Sequence, residues 1–61
     1  MSTTFKIHYE HQAEGHLHSE EVLLESEGEP TEAAVQDAVR QDIAKHHGAA
    51  EFTVISVAPY P

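Results

Sequence analysis

The sequence predicts a small α+β domain of order β-β-α-β, a three-stranded antiparallel sheet (strand order 2-1-3) with one helix packed on one face. Three observations predict it. Residues 3–11 alternate, with Phe5, Ile7 and Tyr9 on one side and Thr4, Lys6, His8 and Glu10 on the other, the period of a half-buried strand. Val35, Val39 and Ile43 recur at every fourth position beside Ala34 and Ala38, which makes one apolar helical stripe. Residues 51–58 are rich in β-branched side chains and run into Pro59-Tyr60-Pro61, the composition of a strand and its stop.

In chain order, the first strand breaks at Gln12-Ala13-Glu14-Gly15, whose glycine suits a hairpin loop of about four or five residues. Residues 16–26 form the second strand in one of two registers. Pairing His11 with His16 sets Val22 opposite Phe5 and Lys6 opposite Glu21. Pairing His11 with Leu17 sets Leu23 opposite Phe5, His8 opposite Glu20 and Glu10 opposite His18. The run Val22-Leu23-Leu24 permits either, and a bulge would reconcile them. Ser26-Glu27-Gly28-Glu29-Pro30 is a turn by composition.

The helix spans about residues 31–47. Thr31 caps it, and Pro30 stops its backward growth. Glu29 and Glu32 meet the positive end of the helix dipole, while Lys45, His46 and His47 meet the negative end. Gly48 supplies a left-handed terminator. A right-handed crossover from the second strand through the helix to the third leaves strand one central. Phe5, Ile7, Tyr9, Phe52 and Val54 are then the residues expected to meet Val35, Val39 and Ile43. Because Ile55 and Val57 alternate with Phe52 and Val54, they are expected on the opposite face, joined there by Val22 and Leu24 or by Leu23. An uncovered apolar patch usually marks a contact, so a homodimer formed through Ile55 and Val57 on this face, or through an edge strand, is one expectation.

A chain of 61 residues is one domain, which buries only about 60% of the surface its unfolded form exposes. Cysteine is absent, which excludes disulfides and thiolate chemistry. No stretch approaches the ~18 apolar residues of a membrane span, and the first residues lack signal-peptide order. The expected location is the cytoplasm. Eleven acidic residues stand against three basic ones, a formal net charge of -8. Such a chain repels polyanions, which disfavours direct binding to nucleic acid or an anionic membrane, and it attracts basic partners.

Six histidines fall in the pairs His8/His11, His16/His18 and His46/His47. His16 and His18 share a strand face, and one register brings His8 or Glu10 near them. Zinc prefers four such ligands in a tetrahedron, but these spacings match no zinc signature. Histidine-based metal binding is therefore a third-ranked expectation, and no cofactor is assigned. Protonating all six histidines would take the net charge from -8 to -2, so charge-driven binding would respond to pH.

Catalytic signals are weak. Ser2, Ser19, Ser26 and Ser56 lack a nucleophile-elbow context, and no glycine-rich phosphate loop is present. Asp42 and His46 lie one helical turn apart and read as an intrahelical ion pair. A domain this small has little room for a pocket of ~300 Å³. The expectation is a non-enzymatic protein.

Glu20, Glu21, Glu25, Glu27, Glu29 and Glu32 run from strand two through the turn to the helix start. If strand two is an edge, these carboxylates line one side of the molecule, with Asp37 and Asp42 on the helix extending it. They deter edge-to-edge aggregation, and they can also stand in for phosphates before a basic site, the expected partner being the binding groove of a nucleic-acid-binding protein. In size, charge and layout the chain resembles the small acidic phage-encoded inhibitors of the anti-CRISPR type. The resemblance rests on no motif, so it carries over no functional residue. It implies an inhibitor or nucleic-acid mimic that occupies a basic site on a partner such as a CRISPR effector.

Overall fold

The computed structural model describes residues 2–46 and 51–60, without the side chain of His46. The elements are β1 (Thr3–Ala13), β2 (His16–Ser26), α1 (Glu32–His46) and β3 (Phe52–Pro59). The sheet order is β2-β1-β3, and both neighbours run antiparallel to β1. The α+β architecture and the strand order agree with the sequence reading.

The hairpin differs from both expected registers. β1 continues to Ala13, which pairs with His16, and only Glu14 and Gly15 form the turn. Their φ angles are 55° and 79°. Positive φ at both central residues gives the tight hairpin connection whose twist matches that of the strands. Phe5 then faces Leu24, Ile7 faces Val22, Tyr9 faces Glu20 and His11 faces His18. This pairing is continuous, so no bulge is needed between β1 and β2. Glutamate carries a steric cost in the left-handed region, whereas asparagine tolerates it. Glu14→Asn is expected to raise stability by about 0.5–1 kcal/mol, read as a higher denaturant midpoint at unchanged slope.

With this register the hydrophobic pattern resolves cleanly. Ile7, Tyr9, Val35, Val39 and Ile43 form the buried cluster, with Val22, Leu24, Ala38, Phe52 and Val54 packed against it. Phe5 is buried on the same face. Val22 and Leu24 therefore belong to the helix side, and Leu23, 54% exposed, to the open side. The helix starts as expected. Thr31 Oγ1 accepts the Ala34 N–H at 3.1 Å, and the Val35 N–H donates to the Thr31 carbonyl at 3.0 Å. This is N-capping by a threonine side chain. The expected roles of His46, His47 and Gly48 at the other end lie outside the described residues and side chains.

β3 corrects a second expectation. Its pairing with β1 shifts between His8 and Tyr9: Tyr9 faces Val54, but His8 faces Ser56 and Ile7 faces Val57. Ile55 is the extra residue of a β-bulge, and one extra residue inverts the alternation beyond it. Val57 thus lies on the helix side with Ile7, not on the open face. The open face keeps Leu23, one of the two expected alternatives, but it carries Leu23 and Leu17 among polar side chains in place of a patch built on Val57. Lys6 Nζ lies 3.3 Å from Glu21 Oε2 across the diagonal of the β1–β2 pair, and His8 Nε2 meets Ser19 Oγ at 2.5 Å. The Lys6 ammonium also sits 5.1 Å from the Tyr60 ring centre.

The molecule is elongated, 40 Å along its major axis. Strands of 11 residues run about 36 Å, and a helix of 15 residues only about 22 Å. The helix therefore leaves part of the hairpin uncovered. The exposed turn lies there.

Candidate functional site

Two features hold chemistry-bearing side chains: a polar line beneath the C-terminal half of α1, and the carboxylates at its N-terminal end.

Strand alternation places Tyr9 and His11 on the helix side of β1, and the register brings Glu20 and His18 beside them from β2. Tyr9 is fully buried and His11 nearly so. The Tyr9 hydroxyl donates to Asp42 Oδ2 at 2.5 Å. His11 Nε2 lies 3.3 Å from Glu20 Oε2. The His11 and His18 rings stack with centroids 5.3 Å apart, and Tyr9 meets the Phe52 ring edge-on at 6.5 Å. Burial pushes the Tyr9 phenol above its ordinary range, and the hydrogen bond and negative charge of Asp42, with Glu20 beyond, push it further. A phenol held neutral and aimed at a carboxylate is a donor in a structural seam. Hydrogen bonds to charged groups contribute about 1.5–3 kcal/mol.

The sign of the resulting pH dependence follows from proton binding. The folded state holds the Tyr9 proton more tightly than the unfolded state, whose phenol titrates near pH ~10. Stability from this group is complete below that pH and is lost as pH rises toward the folded value. The expected result is that the wild type loses stability above pH ~10 more steeply than Tyr9→Phe, by up to about 1.4 kcal/mol per pH unit. Denaturant titrations of both proteins at several alkaline pH values check this.

This line was missed from the sequence. Asp42 accepts a hydrogen bond from Tyr9 on β1; the expected intrahelical contact with His46 lies outside the described side chains. The signal was available in the spacing: Phe5, Ile7, Tyr9 and His11 share one alternating face. The expected metal cluster is not assembled. His16 and His18 are on the helix side, whereas His8 and Glu10 point to the open face. Among the described residues no group of three or more His, Cys, Asp or Glu could hold a metal ion.

The acidic run does not line one continuous side. Adjacent strand residues point to opposite faces, so Glu20 joins His11 under the helix while Glu21 and Glu25 lie on the open face. Glu21 is paired with Lys6. Asp37 is paired with Arg40 at 3.3 Å. What remains together is the end of the molecule where β2 turns into α1. Glu25, Glu27, Glu29 and Glu32 are all exposed there, and among the described residues none of them has a cationic partner within ion-pair distance.

The surface is more indented than the chain length suggested. An open depression of about 680 Å³ adjoins His11, Phe52 and Arg40 and reaches round to Glu10 and Thr53 on the other face. It therefore wraps the end of the sheet and does not enclose a reaction centre. Grooves of about 310 Å³ and 270 Å³ run along the β2 and β3 sides of α1. Of the predicted dimer residues, Ile55 is 49% exposed at the bulge, while Val57, 39% exposed, lines the β3-side groove.

Comparison of the chain with protein-family models, curated proteins and solved structures finds no match. The surface itself carries the functional reading. No helix among the described residues is long and apolar enough to cross a membrane.

Proposed function

We propose that this protein is a small acidic, non-enzymatic interaction domain that acts by occupying a basic site on a partner protein in the cytoplasm. The single observation that carries the reading is the group Glu25, Glu27, Glu29 and Glu32, exposed at one end without cationic partners among the described residues in a chain of net charge -8. The acidic residues elsewhere are partly spent internally: Glu20 on His11, Glu21 on Lys6, Asp37 on Arg40 and Asp42 on Tyr9. Unneutralised carboxylates repel one another, so their clustering costs stability unless a partner brings positive charge. An inhibitor that stands in for nucleic acid on a basic groove, as the anti-CRISPR resemblance implies, is the specific form of this proposal.

Binding of this kind weakens with ionic strength, because exposed charges are screened beyond ~8 Å at physiological salt. The test is affinity capture of partners from the native cell at ~0.05 and ~0.5 M salt. The expected outcome is a basic partner retained at low salt and released at high salt. Retention unchanged by salt would contradict the electrostatic reading.

A further inference from the structure

The two grooves beside α1 differ in charge. On the β2 side, Asp37 and Asp42 stand beside Lys45. On the β3 side, among the described residues, Val35, Val54 and Val57 supply apolar lining and Glu29 and Glu32 supply the only charges, with no Lys, Arg or His. This second groove has a structural cause. α1 packs chiefly on β1 and β2, and the bulge at Ile55 returns Val57 to the helix side. Apolar surface is thereby left half-covered between the helix and an edge strand. Among the described residues β3 is paired only with β1, so its other side presents backbone groups that an extended chain can meet.

We infer that the α1–β3 groove seats an extended basic segment of the partner protein, with an aliphatic side chain over Val54 and Val57 and flanking Lys or Arg side chains at Glu29 and Glu32. This rests on the acidic interaction domain proposed above and assigns its anchoring point. Charge selects the occupant. A second copy of the chain would bring another net charge of -8 to a rim that is already negative, whereas a basic segment neutralises it. Size argues in the same direction. The groove, about 270 Å³, falls below the ~300 Å³ at which small-molecule sites begin, but it accommodates side chains entering one at a time. An apolar floor with an acidic rim separates two contributions: the valines favour an aliphatic anchor, and the carboxylates favour the charge beside it.

The test is an NMR titration of the full chain with two synthetic peptides as long as β3 (8 residues), one alternating Lys and Val and the other Lys and Gly. The two carry equal charge. The Lys–Val peptide is expected to bind about tenfold more tightly, the gain from burying roughly one aliphatic side chain, and to shift the methyl signals of Val35, Val54 and Val57. Val57→Ser, at a partly exposed position, should remove that advantage while leaving the spectrum of the folded protein otherwise intact. The double variant Glu29→Gln/Glu32→Gln should weaken both peptides alike. Equal affinity for the two peptides would overturn the groove and leave the acidic-surface reading standing. Failure of both peptides to bind at ~0.05 M salt would overturn that reading as well. Groove methyl shifts that depend on protein concentration without peptide would assign the groove to a second copy and overturn the proposal.

Discussion

Ile7→Ala is expected to lower the thermal midpoint by roughly 10–30 °C, and Leu23→Ala by less than about 4 °C. Ile7 is fully buried on the helix side of the central strand, whereas Leu23 is half-exposed on the open face of the neighbouring strand. An isoleucine truncated in a core costs about 2–5 kcal/mol, the removed atoms' transfer free energy plus the cavity left behind. A chain of 61 residues has a total stability of only about 3–9 kcal/mol, so this one side chain represents a large share of it. A surface leucine costs within about 0.5 kcal/mol. The contrast tests register as well as burial, because a slip of one residue would exchange the faces of Val22 and Leu23. Equal losses from Ile7→Ala and Leu23→Ala would contradict the pairing of Ile7 with Val22.

Much of this fold was legible in the sequence because its strongest signals are local. The alternation of Phe5, Ile7 and Tyr9 identifies the central strand's buried face, and the spacing of Val35, Val39 and Ile43 identifies the helix stripe. Thr31 announces its cap in the same way. The registers were not legible, since each depends on a single residue of backbone geometry. A glutamate is an unusual occupant of a left-handed turn position, so Glu14-Gly15 did not read as a two-residue turn. Among β-branched residues, Ile55 gives no sign that it will be extruded as a bulge. Both errors propagated to side-chain faces. They moved Val57 to the wrong side, placed Glu20 with the surface carboxylates and concealed the His11–Glu20 contact.

Neutralising Glu25, Glu27, Glu29 and Glu32 together by glutamine is expected to weaken salt-sensitive partner binding strongly and leave the fold intact. The four carboxylates are exposed and make no ion pair among the described residues, so their removal breaks no internal contact of that kind. Glu32 accepts a hydrogen bond from the Gln36 amide at 3.3 Å, which the oxygen of a glutamine side chain can still accept. Each exposed charge contact contributes little alone, about 0.2–1 kcal/mol. Four in one place give a loss on the order of tenfold to a hundredfold in affinity. The control is Glu21→Gln with Asp37→Gln. These carboxylates are already engaged by Lys6 and Arg40, and the pair should cost well under half the binding free energy lost by the clustered set, half being what two charges against four would give in bulk. The same contrast separates the acidic end from net charge alone, because a bulk effect would scale with the number of charges removed wherever they lie.

The most direct test of the acidic end as the interaction surface is side-by-side affinity capture from native cells at ~0.05 M salt with the wild type and the Glu25/Glu27/Glu29/Glu32→Gln variant, read by quantitative mass spectrometry. The account predicts a basic protein enriched by the wild type and lost from the variant, with identical circular dichroism for the two. Equal recovery of the same partner by both proteins would contradict it.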